Sequence, residues 1–219
     1  MGNSKSPKKE KKDSNSNSAE NGNARKDFLV VGIGASAGGI KPLKDFFAAM
    51  PANSGMAFVV VLHLSPEYDS HLQEVLQTST AMPVTQVRET LKVEPNHIYV
   101  IPPAKNLVVA DGEIKLVEPE LIRGKRVPID LLFRTLAETY GKNSVCVIFS
   151  GIGADGTSGL KRIKEAGGIA IVQKPTEAEY NGMPLSAITT KLVDIILPAA
   201  EIPEKLLAYK RGTEIIKLP

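Results

Sequence analysis

Tryptophan is absent from this 219-residue chain, and cysteine occurs once, as Cys146. A lone cysteine excludes an internal disulfide, and beside only three histidines it offers no ligand spacing for a metal site. Cys146 lies in the apolar run Ser144-Val-Cys-Val-Ile-Phe149 and reads as a small core residue. A reducing compartment, the cytoplasm, is the expected location. No apolar run approaches the roughly 20 residues of a membrane helix, so no membrane insertion is expected. Excess charge of one sign is also lacking in most of the chain. Of 27 basic and 24 acidic residues, residues 1–27 hold 7 and 4, so the rest carries 20 of each. A basic surface for nucleic acid is therefore not expected.

Residues 1–27 are poor in apolar side chains and read as a disordered polar tail or linker. From Phe28 the pattern alternates between apolar runs of strand length and amphipathic helices. Phe28–Ile33 and Ala57–Leu62 are apolar throughout, as in parallel strands covered on both faces. A helix is expected over Ile40–Met50, with Leu43, Phe46, Phe47 and Met50 on one stripe. Further helices are expected over Ser70–Ser79, Ile129–Tyr140, Thr157–Ala166 and Glu201–Lys210, and strands over Pro83–Val87, Val145–Phe149 and Ile169–Val172. Asp111-Gly112, between Leu107–Ala110 and Glu113–Val117, signals a hairpin. The predicted fold is α/β: a doubly wound, mostly parallel sheet with helices on both faces, of three-layer Rossmann-like type, and an antiparallel β-hairpin insert. Residues 28–210 form the domain, and 211–219 a C-terminal tail.

The first strand runs into Gly32-Ile-Gly-Ala-Ser-Ala-Gly-Gly39. Gly34-Ala-Ser36-Ala-Gly38 has the G-x-S-x-G spacing of a nucleophile at a strand-to-helix turn. Gly32-x-Gly34-x-x-Ala37 also fits the dinucleotide fingerprint. That fingerprint wants an acid at the end of the second strand to bind a ribose, and His63 stands there instead. A second glycine-rich turn, Ser150-Gly-Ile-Gly-Ala-Asp-Gly156, follows the strand ending at Phe149. Ser36, His63 and Asp155 thus each follow an apolar strand and precede a helix. In a doubly wound sheet such loops line one crevice at the carboxyl ends of the strands. A nucleophile, a base and a carboxylate on one rim are the set a serine hydrolase needs. Each has a plainer role available: His63 as a loop histidine, Asp155 as a turn or cap residue.

The motifs Gly34-Ala-Ser-Ala-Gly-Gly39, His63-Leu-Ser-Pro66, Gly151-Ile-Gly-Ala-Asp-Gly156 and Gly182-Met-Pro184 resemble the catalytic domain of CheB-type chemotaxis methylesterases, over about residues 27–206. The resemblance implies a Ser36–His63–Asp155 triad that hydrolyses γ-glutamyl methyl esters on chemoreceptor cytoplasmic helices, without a cofactor. Many members also deamidate receptor glutamines. Backbone N–H groups at Ala37 and Ile152 are the expected oxyanion donors, with Gly34, Gly38, Gly39, Gly153 and Gly156 shaping the site. Ala37 and Ile152 depart from the family's common Thr and Met. The family's receiver domain has no counterpart in residues 1–27, and the sequence is closer to methylesterase domains of hybrids with a CheR-type methyltransferase. A methyltransferase or a receiver domain therefore joins the chemoreceptor as an expected partner. A free-standing form and a piece of a longer protein are both open. A docking module of the same fold, without turnover, is the alternative.

Overall fold

The computed structural model describes residues 1–2, 28–63, 71–119 and 126–212. Residues 3–27 of the expected tail 1–27, residues 213–219 of the expected tail 211–219, and most of the His63–Pro66 motif lie outside the described residues. Apolar runs become strands where both faces can be covered. β1 (Val30–Ala35) and β2 (Ala57–Leu62) are buried at every residue. Between them α1 (Ile40–Ala49) buries Leu43, Phe46 and Phe47. Next come α2 (Leu72–Gln77), β3 (Val84–Gln86), β4 (Leu91–Lys92), β5 (His97–Val100), β6 (Asn106–Ala110) and β7 (Glu113–Val117). The chain continues through α3 (Pro128–Tyr140), β8 (Ser144–Ile148), α4 (Thr157–Glu165), β9 (Ile169–Gln173), α5 (Gly182–Ile188), β10 (Ile195–Leu197) and α6 (Ile202–Lys210).

Seven strands form one sheet in the order β10-β9-β8-β1-β2-β5-β3, and every pairing in it is parallel. The alternation of strand side chains divides the core. Val31, Ile33, Phe58, Val60, Val147 and Phe149 pack with α1, α2 and α6 on one face. Val30, Val59, Val61, Cys146 and Ile148 pack with α3, α4 and α5 on the other. This is the three-layer α/β fold the sequence predicts. Among the described residues, no helix is long and apolar enough to cross a membrane.

The hairpin forms at Asp111 (φ 57°) and Gly112 (φ 79°), both left-handed as a type I′ turn requires. It is one strand larger than expected, because β4 pairs antiparallel with β7 and gives a three-stranded sheet. A two-residue strand carries no readable periodicity. Leu107, Val109 and Ile114 press this small sheet into the α3 side of the core.

The order of the large sheet places β1 between β2 and β8. The chain moves outward from β1 to β2 on one side and later from β8 to β9 and β10 on the other, so a crevice opens at the carboxyl ends of these three strands. The register aligns Ala35 with Leu62 and Gly34 with Ile148. The turns after β1, β2 and β8 therefore emerge side by side.

Candidate active site

Ser36 is the first residue beyond β1, and His63 the first beyond β2. The parallel ladder continues one step past the strands: the His63 N–H donates to the Ala35 carbonyl at 2.8 Å. Ser36 Oγ donates to the His63 carbonyl at 2.8 Å. The two residues are thus in direct contact, but through the histidine's main chain. The imidazole is half-buried, and burial, with the Arg126 charge second, holds its pKa below the ordinary histidine value. A histidine so placed is neutral at pH 7, with a ring nitrogen able to take a proton.

The glycines divide into two functions. Gly32 and Gly34 lie within β1 and make room for α3. A Cβ at Gly32 would stand 2.5 Å from Leu136 Cδ1, and one at Gly34 2.3 Å from Ile129 Cγ2. Two of the three positions of the dinucleotide fingerprint therefore serve helix-on-sheet packing, which leaves that reading without a phosphate loop. Gly38 is the left-handed residue of the turn (φ +71°). Ser36 has no positive φ. The turn thus departs from a strained serine elbow and puts its unusual backbone conformation two residues later. Gly39 closes against Ala35, where a Cβ would come within 2.6 Å of that side chain.

The second turn packs on the first. The Ser36 N–H donates to the Ser150 carbonyl at 2.9 Å, and a Cβ at Gly151 would lie 2.9 Å from Ser36 Cβ. Gly153 (φ +90°) and Gly156 (φ +91°) are both left-handed. The N–H groups of Ala37 and Ile152 have no hydrogen-bond partner among the described residues. The Ile152 side chain is 66% exposed beside them.

Asp155 sits in this turn with its carboxylate engaged elsewhere. Oδ2 accepts from the Ile129 N–H at 3.1 Å. Oδ1 accepts from Asp130 at 3.0 Å and Gly156 at 2.9 Å. Asp155 thus caps α3, a helix 26 residues earlier in sequence, rather than the helix that follows it. No hydrogen bond joins Asp155 to the His63 ring among the described residues. Burial, opposed by those N–H donors and reinforced by the Asp130 charge, raises the Asp155 pKa to about 6.

An open cleft of about 500 Å³ lies on the α1 side of Ser36, lined among others by Gly38, Ile40, Lys41, Lys44 and Glu179. Ile152 and Tyr180, large apolar side chains left exposed, stand near the serine through the Gly151 turn. Such a rim suits a substrate that is itself part of a protein surface.

Sequence reading did not single out Asp130, Ser150 or Gln173. Ser150 did carry a signal, since like Ser36 it is the polar residue at the head of a glycine-rich turn. Asp130 carried none, reading as an ordinary acid in the first turn of a helix. Among the described residues, no three His, Cys, Asp or Glu side chains gather as a metal site requires.

Comparison with known proteins adds names to this geometry. The family model described as CheB methylesterase matches residues 31–206. A putative protein-glutamate methylesterase/protein-glutamine glutaminase of Leptospira interrogans is 34% identical over 179 residues, covering 81% of this chain and 93% of that one. A protein-glutamate methylesterase/protein-glutamine glutaminase of Hydrogenovibrio crunogenus is 32% identical over 82% of this chain but only 48% of its own length. The chain likewise spans about half the length of several other relatives. The crystal structure of the Thermotoga maritima CheB methylesterase catalytic domain superposes with a TM-score of 0.77 at 30% identity, over 83% of this chain and 98% of that one.

Proposed function

The chain belongs to the CheB methylesterase family, and on that premise we propose that residues 28–210 are a catalytic domain that hydrolyses γ-glutamyl methyl esters on chemoreceptor helices by acyl transfer to Ser36. His63 takes the hydroxyl proton as Ser36 Oγ attacks the ester carbonyl. The oxyanion is held by the Ala37 and Ile152 N–H groups. His63 then protonates the departing methanol, and water repeats the sequence in reverse on the acyl-enzyme. With a glutamine substrate the leaving group is ammonia, and the same steps give deamidation. Asp155, ionised above pH 6, supplies negative charge to the rim as the imidazolium forms. The reaction serves adaptation in chemotaxis-type signalling, in the cytoplasm.

The observation that carries this reading is the contact of Ser36 with His63 at the ends of adjacent strands. Two backbone N–H groups without partners among the described residues flank it. The hydroxyl must leave the His63 carbonyl for the ring before it can react. The deciding experiment is methanol release from a methylated chemoreceptor cytoplasmic fragment, by this protein and by Ser36→Ala. Release that disappears in the variant supports the reaction and the nucleophile together. Equal release from both rules out Ser36.

A further inference from the structure

Ser150 is fully buried, and each of its hydrogen-bonding groups is engaged. Its N–H donates to Gln173 Oε1 at 2.9 Å, which ties it to the end of β9. Its carbonyl accepts from the Ser36 N–H at 2.9 Å. Its hydroxyl has one hydrogen and two acceptors in reach, the Ala37 carbonyl at 2.8 Å and the Tyr180 carbonyl at 3.3 Å. The shorter contact takes the hydrogen. The oxygen in turn accepts from the Tyr180 N–H at 3.0 Å.

We infer that Ser150 is a positioning residue for the nucleophile, its carbonyl and hydroxyl clamping the Ser36–Ala37 dipeptide from both ends. This rests on the serine-esterase reading above and extends it. One bond holds the N–H that enters the dipeptide, and the other the carbonyl that leaves it. The backbone between them carries both the Ser36 side chain and the Ala37 N–H. With its ends held, their directions are set before substrate arrives, which is the geometric condition for rapid attack.

The surroundings fit this role. A Cβ on Gly38 would stand 2.7 Å from Ser150 Oγ, so only glycine lets the hydroxyl reach past it to Ala37. The Tyr180 carbonyl accepts from the Gly151 N–H at 2.9 Å, so the clamp also braces the turn that carries Ile152. Among the described residues the Ser150 hydroxyl bonds only to two turns, at Ala37 and Tyr180. None of its partners is in a strand or helix, so its work is in arranging loops.

The test compares wild type, Ser150→Ala and Ser150→Thr in two measurements: methanol release from the methylated receptor fragment, and amide hydrogen exchange at Ser36. Ser150→Ala is expected to lose about 10–100-fold in kcat with KM within about twofold, the signature of a misplaced group rather than lost binding. Its Ser36 amide should exchange at least about tenfold faster while Val31 and Val147 are unchanged. Ser150→Thr, which keeps the hydroxyl, should recover most of both. Unchanged kcat and unchanged Ser36 exchange in a folded Ser150→Ala overturn the proposal. So does exchange that rises across the whole sheet without recovery by threonine, which marks a merely structural residue. If Ser150→Ala does not fold, Ser150→Cys keeps the shape with a weaker donor and is read against Ser150→Thr in the same way. If wild type releases no methanol while Ser36 exchange responds as expected, the clamp stands and the substrate reading fails.

Discussion

Asp155, two residues before α4, caps the start of α3, and Asp130, in the first turn of α3, caps the start of α4. Asp155, on the turn into α4, accepts the N–H groups of Ile129 and Asp130 in the first turn of α3. Asp130, in that first turn, accepts the N–H of Gly159 in α4 at 2.7 Å. Neither helix has a side-chain cap of its own. The exchange joins two helix starts and anchors the end of the β8–α4 turn that carries Ile152.

This crossed capping predicts coupled stability losses. Asp130→Ala and Asp155→Ala should each cost about 1–2 kcal/mol, the usual worth of an N-cap. The double variant should cost less than the two together, because each residue supports the element that holds the other. Chemical denaturation of the three variants measures both quantities. Strict additivity would show that the two caps act independently.

The same pair sets a pH dependence. Burial raises the Asp155 pKa to about 6 in the folded protein, against 3.8 ordinarily. A raised carboxyl favours folding while protonated, so its contribution is full below about pH 4 and is lost as pH rises through 6. Two pH units correspond to at most about 3 kcal/mol. The stability of wild type relative to Asp155→Asn should therefore fall between pH 4 and pH 7. Activity runs the other way. On the proposed mechanism it needs Asp155 ionised and His63 neutral, so kcat/KM should rise with pH on a limb near 6. Asp130→Asn removes a charge that raises the Asp155 pKa and should move that limb to lower pH. A profile flat from pH 5 to 8 would show that turnover does not depend on the ionisation of Asp155.

Ser36→Ala should fold as wild type does, since the backbone bonds to Ser150 and Gly39 survive the loss of Oγ. Its turnover should fall by roughly 10⁶-fold, as removal of a triad nucleophile does elsewhere. Thermal melting and methanol release on the same sample check both halves.

Gly34→Ala should destabilise by about 1–3 kcal/mol, because the added methyl meets Ile129 Cγ2 at 2.3 Å in a close-packed core. It should also lower kcat, since Ile129 lies in the first turn of the helix whose N–H groups hold Asp155. Adding Ile129→Ala vacates the clash and should return part of the activity lost in Gly34→Ala. No recovery in the double variant would separate Gly34 from the Asp155 contact.

Much of this was legible in the sequence because it depended on local pattern. Continuous apolar runs marked β1, β2, β8 and β9, since a parallel strand has no solvent face to show as alternation. Asp111-Gly112 marked the hairpin because only a few residue pairs tolerate two left-handed conformations in succession. Ser36, His63 and Asp155 were placed on one rim by chain topology alone. Less visible was what each glycine does. Gly34 and Gly38 occupy equivalent places in the motif. Yet one answers to a helix nearly a hundred residues away and the other to its own φ.

The sequence by itself determined the layers, the strands and the set of polar residues delivered to the carboxyl edge of the sheet. These follow from periodicity and turn chemistry, which act over a few residues. Only the tertiary structure decided the partners. Ser36 donates to a main-chain carbonyl, Asp155 caps α3, and the Ser150 hydroxyl donates to the Ala37 carbonyl across 113 residues of sequence. A hydrogen bond depends on tenths of an ångström between groups that the chain brings together only by folding, and no spacing in the sequence encodes that distance.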